Sequence, residues 1–195
     1  VRVATAVQNS GLYAKGQHRA KQVQLLHVLG RNFTELMTPD QLLRLVASVV
    51  HHTFELAVLA IALREGDELV VRATAQSVDC SLKPGAVLPH SPALDTLYEQ
   101  ARTQRWTAPN GQPTLPWGVA ELGSELLLPI ILRNQVTGVL AVASHEPSDA
   151  QTEWLLQALV AQLAIGLQNA QLFVREQEQV QQLNQAGALG HPDKR

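Results

Sequence analysis

The sequence predicts an α+β domain built on antiparallel hairpins. Three observations carry that reading. Apolar residues recur at helical spacing near both ends of the chain. Two central stretches, LAVLAIALREGDELVVRATAQ (56–76) and SELLLPIILRNQVTGVLAVAS (124–144), read as paired strands. Between them, residues 77–123 hold six of the ten prolines and show no sustained period. Helices at the ends and strands in the middle make this an α+β order.

Residues 1–16 read as a linker or loose arm, and residues 17–174 as one domain. From Gln17 the pattern is helical, with Leu26, Leu29, Phe33 and Leu36 on one face. A second helix follows at Thr38-Pro39-Asp40-Gln41: Thr38 caps it, Pro39 suits the first turn, and Gln41 completes a capping box. Leu42, Val46 and Val49 form its apolar stripe, which runs to about Thr53.

The period then changes. Residues 56–64 are a continuous apolar run, Glu65-Gly66-Asp67-Glu68 is a turn, and residues 68–76 return with Val70, Arg72, Thr74 and Gln76 on one side. The first strand is expected to be buried on both faces. In the irregular region, Ser91 and Pro92 start a short helix with Leu94, Leu97 and Ala101 on its apolar side, and a short strand is expected near Arg105–Ala108. Long irregular connections in compact domains are usually functional or disordered, and Tyr98, Trp106 and Trp117 argue against disorder.

The second hairpin puts Leu126, Leu128, Ile130 and Leu132 on one face, with a turn at Asn134-Gln135. Pro129 has no N–H for a ladder, so a bulge or unpaired stretch is expected there. Small Gly138, Ala141 and Ala143 leave room for a neighbouring element. The closing helix starts at Ser148-Asp149-Ala150-Gln151, with Ser148 as cap. Leu156, Val160, Leu163, Leu167, Ala170 and Val174 follow 4-3-4-3-4 spacing, and Leu155, Leu159 and Leu172 lie on a neighbouring face. Two apolar faces imply two partners, a sheet and another helix. Residues 175–195 read as an exit helix with a frayed tail.

Composition narrows the partners. Fifteen basic and 17 acidic residues leave a net charge of −2 with no basic stripe, so no nucleic-acid partner is expected. Residues 124–144 fail as a membrane span, which needs about 20 consecutive apolar residues, because Arg133, Asn134 and Gln135 split them. The single cysteine, Cys80, rules out an internal disulfide and fits a reduced cytoplasmic setting. The chain starts at Val1 with no signal-peptide pattern and is expected to be a piece of a longer protein.

The order of helix, helix, hairpin, aromatic-rich insert with a helix, hairpin and long helix resembles a GAF domain. Four stretches carry the likeness: TPDQLLRLVASVV, LAVLAIALREGDELVVRATA, SELLLPIILRNQVTGVLAVAS and SDAQTEWLLQALVAQLAIGLQNAQLF. It covers about residues 20–174. The resemblance implies a central antiparallel sheet of five to six strands, terminal helices on one face, and the insert on the other, enclosing a small-molecule pocket. It also implies a regulatory sensor module, homodimerisation through the terminal helices, and an effector domain in cis, such as a histidine kinase or cyclase.

Candidate site residues follow from residue type and place. Cys80 could hold a chromophore, but the insert helix SPALDTLYEQA lacks the cysteine that bilin-binding relatives use there, so a covalent bilin is not expected. A methionine sulfoxide reductase on this fold works with more than one cysteine, and a lone thiol has no partner for an intramolecular disulfide. A plain buried thiol is the simpler state. His51 and His52 are adjacent, point apart, and sit where a helix C-terminus favours cations. His90 precedes the insert helix, where a pocket-facing role competes with surface capping. A haem ligated by His90 or His145 stays open, and no cofactor is assigned.

Tyr98, Trp106 and Trp117 could stack on a ligand or seal the insert against the sheet. Arg72 is either a partner for an anionic ligand or a solvent-facing strand charge. Leu156, Val160, Leu163, Leu167 and Val174 are the expected dimer seam. The Asn-Lys-Phe-Asp-Glu signature of cyclic-nucleotide GAF domains is absent, as are a P-loop and G-x-S-x-G. A ligand-free assembly module and a small enzyme on the same fold are the alternatives.

Overall fold

The computed structural model describes residues 37–108 and 112–189. The expected first helix therefore lies outside the described residues. Helix α1 spans Pro39–Phe54, strands β1 and β2 span Val58–Glu65 and Glu68–Gln76, and helix α2 spans Pro92–Gln100. Strand β3 spans Gln104–Thr107, β4 Ser124–Leu132, β5 Gln135–Ser144, and helix α3 Ala150–Leu189. One five-stranded sheet runs β2-β1-β5-β4-β3, with every neighbouring pair antiparallel.

Local sequence explains the ends of the elements. Thr38 caps α1 in a full capping box with Gln41, and Pro39 sits in the first turn where its missing N–H costs nothing. The helix closes on Glu55 in the left-handed conformation (φ 52°), whose N–H bonds to the His51 carbonyl. Ser91 caps α2, its hydroxyl accepting from the Leu94 N–H at 3.3 Å. For α3 the cap is Asp149, not Ser148: Asp149 Oδ1 accepts from the Thr152 N–H at 2.7 Å. A carboxylate at this position also meets the positive end of the helix dipole.

The two hairpins depart from simple alternation at one residue each. In β2, Ala73 pairs with Ile61 and Val71 with Ala62, which leaves Arg72 as the extra residue of a bulge. Leu69 and Val71 therefore face the insert while Ala73 and Ala75 face the helices. In the second hairpin the turn is Arg133-Asn134 rather than Asn134-Gln135. Both residues have positive φ, 50° and 62°, and Leu132 pairs with Gln135. Two left-handed residues match the natural twist of a two-residue hairpin. Pro129 stays in register opposite Val139, and the bulge falls later, where Thr137 is the extra residue between Gly138 and Val136. Pro129 lies beyond the reach of β3, whose last partner is Leu127. Gly138 is needed for close approach: a Cβ there would stand 2.5 Å from the Ala62 carbonyl oxygen.

Two cores sandwich the sheet. On one face, α1 and α3 pack Leu43, Val46, Leu156, Val160, Leu163 and Leu167 against Leu59, Ile61, Leu126, Leu128, Ile130 and Leu140. Leu156, Val160, Leu163 and Leu167 are each at most 3 % exposed. The spacing that suggested a dimer seam is the stripe by which α3 covers its own sheet, and Val174 beyond it is half-buried. Among the described residues, the large apolar side chains that α3 leaves exposed are Trp154, Ile165, Leu172 and Val180. On the other face, Val58, Ala60, Ala62, Leu127, Val139 and Ala141 meet the insert through Cys80, Leu82, Leu88, Leu94, Leu97, Leu115 and Trp117. Alanines dominate this face of β1 and β5, which lets the insert lie close. No helix among the described residues is long and apolar enough to cross a membrane.

Candidate functional site

The insert is fastened at three places, two to the sheet and one between its own two arms. Residues 85–88 run along the outer edge of β2, with Gly85, Val71 and Leu88 N–H groups bonded to Val71, Ala86 and Leu69 carbonyls. This covers an edge that would otherwise present unpaired backbone groups. Further on, the Ser81 N–H bonds to the Trp117 carbonyl at 2.7 Å. Gly118, at φ +69°, passes so close to Ser81 that a Cβ would overlap its hydroxyl.

The third fastening is Glu125, 1 % exposed on the insert side of β4. Its carboxylate accepts from the Thr114 N–H (2.7 Å), the Leu115 N–H (3.0 Å) and Trp117 Nε1 (2.8 Å). A buried carboxylate is tolerable when donors surround it in this way. Sequence reasoning missed Glu125. The signal was there: once Leu126, Leu128 and Ile130 are given to one face, Glu125 and Leu127 must face the insert, and a charge there needs partners.

Between the β1–β2 turn and α2 lies a cleft of about 390 Å³. Its lining is Arg64, Asp67, Glu68, Leu69, Val87, Leu88, Pro89, His90, Leu94, Asp95 and Tyr98. The edge-covering segment places Val87 to His90, and α2 places Leu94, Asp95 and Tyr98. The Tyr98 hydroxyl oxygen is shielded from solvent and has no hydrogen-bond partner among the described residues. Burial pushes its pKa up to about 12, against the opposing pull of the Arg64 guanidinium. Arg64 lies 5.6 Å from the Tyr98 ring centroid, within cation–π range. Its Nε donates to the Gly66 carbonyl at 3.0 Å, and it stands 3.7 Å from Asp67.

Of the six expected ligand residues, the structure brings only His90 and Tyr98 into this cleft. Arg72 faces the opposite side of the sheet, where it pairs with Asp40 of α1 at 2.9 Å and with Glu65. Those two carboxylates hold its guanidinium charged. The bulge at Arg72 is what turns it toward α1. Cys80 and Trp117 are 5 % and 1 % exposed and belong to the insert core. Trp106, on edge strand β3, packs half-buried against the same core. His145 is exposed, its ring within 3.1 Å of the Glu121 carbonyl, and is not part of the cleft lining. No group of three metal-ligating side chains occurs among the described residues.

A second, larger groove of about 730 Å³ runs between α3 and β4, past Ile131, Ala161 and Ile165. The short link from α2 to β3 joins the two regions. Thr103 accepts from Gln157 of α3 at 3.2 Å, and Arg105 pairs with Glu153 of α3. The segment that carries Tyr98 therefore grips the first turns of the long helix within seven residues.

Comparison with known proteins decides the family. A family model described as GAF domain matches residues 37–168. The chain belongs to the GAF domain family. Solved structures agree on the fold. The GAF domain from an Acinetobacter phosphoenolpyruvate-protein phosphotransferase is 18% identical, with a TM-score of 0.64 over 77% of this chain and 95% of that one. The phycoerythrobilin-bound GAF domain of a cyanobacterial phytochrome is 13% identical, with a TM-score of 0.67 over 79% and 98%. Free methionine-R-sulfoxide reductase from Neisseria meningitidis, in complex with its substrate, is 18% identical, with a TM-score of 0.64 over 79% and 90%. A comparison with curated proteins finds no match.

Proposed function

We propose that this GAF domain is a regulatory module of a cytoplasmic signalling protein with its effector domain in cis. A small molecule binds in the cleft between the β1–β2 turn and α2, and α3 carries the response. One observation supports this most: the segment 98–105 touches both ends of the path. Tyr98 lines the cleft, its hydroxyl desolvated and without a partner among the described residues, while Thr103 and Arg105 hold Gln157 and Glu153. A ligand that pulls α2 toward the β1–β2 turn acts on the start of α3 through that link. It shifts the balance of α3 positions only by its difference in affinity for the two. The lone Cys80, buried in the insert core, supports a binding role over thiol catalysis.

The test is hydrogen exchange of α3 in the wild-type chain and in Arg105→Ala. The coupling predicts faster exchange near Glu153 and Gln157 in the variant, with the core of α1 unchanged. Equal exchange in both would remove this link from the path.

A second reading, a homodimeric assembly module, is favoured by the exposed face of α3. Trp154, Ile165 and Leu172, at 58 %, 53 % and 44 % exposure, lie 11 and 7 residues apart and so share one side of the helix. Ile165→Glu is expected to weaken self-association in sedimentation. An unchanged sedimentation coefficient across a wide concentration range would remove this face from any dimer.

A further inference from the structure

We infer that the cleft takes an organic cation with an apolar body, of the aryl- or alkylamine class, rather than an anion. The inference rests on the cleft being the ligand site and adds the charge its occupant must carry.

The rim holds three carboxylates, Asp67, Glu68 and Asp95, against one guanidinium. That guanidinium is already engaged, by the Gly66 carbonyl, by Asp67 and by the Tyr98 ring. Glu68 makes no ion pair among the described residues. Among the described residues Asp95 pairs only with the exposed His90 ring, 3.9 Å away, which is charged only when protonated. An incoming anion would have to draw Arg64 from Asp67 and then sit among unbalanced carboxylates. An incoming cation meets Glu68 and Asp95 without displacing anything. Below the rim, Leu69, Leu88 and Leu94 supply apolar surface, with Leu88 and Leu94 each at most 4 % exposed. Tyr98 also lines the cleft, and because a phenol hydroxyl can donate as well as accept, the choice of charge falls to the rim carboxylates. The volume stands at the lower end of small-molecule sites, which suits a single ring or short chain.

The test uses three probes that share one body: 2-phenylethylamine, 2-phenylethanol and phenylacetate. Each is titrated into the full chain by calorimetry, and the site is mapped by amide shifts in NMR. The amine is expected to bind about tenfold tighter than the alcohol, a difference of about 1.4 kcal/mol, with phenylacetate weakest. The double variant Glu68→Gln, Asp95→Asn is expected to erase the amine's advantage, and raised salt to narrow it, because both partners are at the surface. Equal affinity for all three, or tighter phenylacetate, with shifts confined to the cleft, overturns the cation class and leaves the cleft standing as the ligand site. Binding of none, or shifts that avoid residues 64–69 and 87–98, overturns both.

Discussion

Replacing Glu125 by Ala tests how the insert is held over the sheet. The change strands two buried donors, the Leu115 N–H and Trp117 Nε1, and a part-buried third, the Thr114 N–H. Each buried donor left unmade costs about 1–3 kcal/mol, so the two buried ones set a loss of about 2–6 kcal/mol. Relief from burying a carboxylate offsets part of this, since the desolvation of one ion is itself several kcal/mol. A net loss of about 2–4 kcal/mol is expected, or roughly 5–15 °C in Tm for a chain of this size. Glu125→Gln keeps the shape and one acceptor oxygen but turns an NH2 toward a donor, so about half the loss is expected. Urea unfolding followed by circular dichroism measures both. The Leu115 and Ser81 amides should also exchange faster in the alanine variant, because they hang on the same loop. A loss under about 0.5 kcal/mol for Glu125→Ala, with Ser81 protection unchanged, would refute the clamp.

Other outcomes follow from the same contacts. Leu163→Ala, at a fully buried position on the sheet-facing side of α3, should cost about 2–5 kcal/mol in urea unfolding. Arg72→Ala should cost no more than about 1 kcal/mol, since the group is partly exposed, and that cost should shrink in high salt. Gly118→Ala should lower Tm, because the backbone is left-handed there and Ser81 stands in the way of a Cβ. His51 gives a pH dependence. Burial, then the neighbouring His52, lowers its pKa below the ordinary 6.5, so the fold favours the neutral ring. That stability is present above the unfolded value and is lost as pH falls through the folded one. Wild type should therefore lose more stability than His51→Gln between about pH 7.5 and pH 5.5 in urea melts.

Much of the fold was legible because its signals are local. The Thr38 and Ser91 caps, both hairpins and the apolar stripes all state their own geometry within a few residues. What the sequence hid depended on tertiary partners. One residue inserted in β2 turned Arg72 from a ligand candidate into a bridge between α1 and β1. The turn moved to Arg133-Asn134 because the twist of two strands, not the residue preferences of a turn, fixed the register. The 4-3-4-3-4 stripe of α3 could not say whether its partner was a second chain or its own sheet, because both demand the same spacing. The candidate site was half legible for the same reason. His90 precedes the insert helix, Tyr98 lies on it, and both line the cleft, while Cys80 and Trp117 are core residues whose types merely look reactive. Glu125 went unseen because its three donors come from a loop about ten residues away.

The link between cleft and helix is tested most directly by hydrogen exchange of the full chain with and without saturating 2-phenylethylamine. Slower exchange is predicted in two separated regions, residues 88–105 around the cleft and residues 150–160 at the start of α3. Protection of the first region alone, with α3 unmoved, would contradict a ligand signal passing through Thr103 and Arg105.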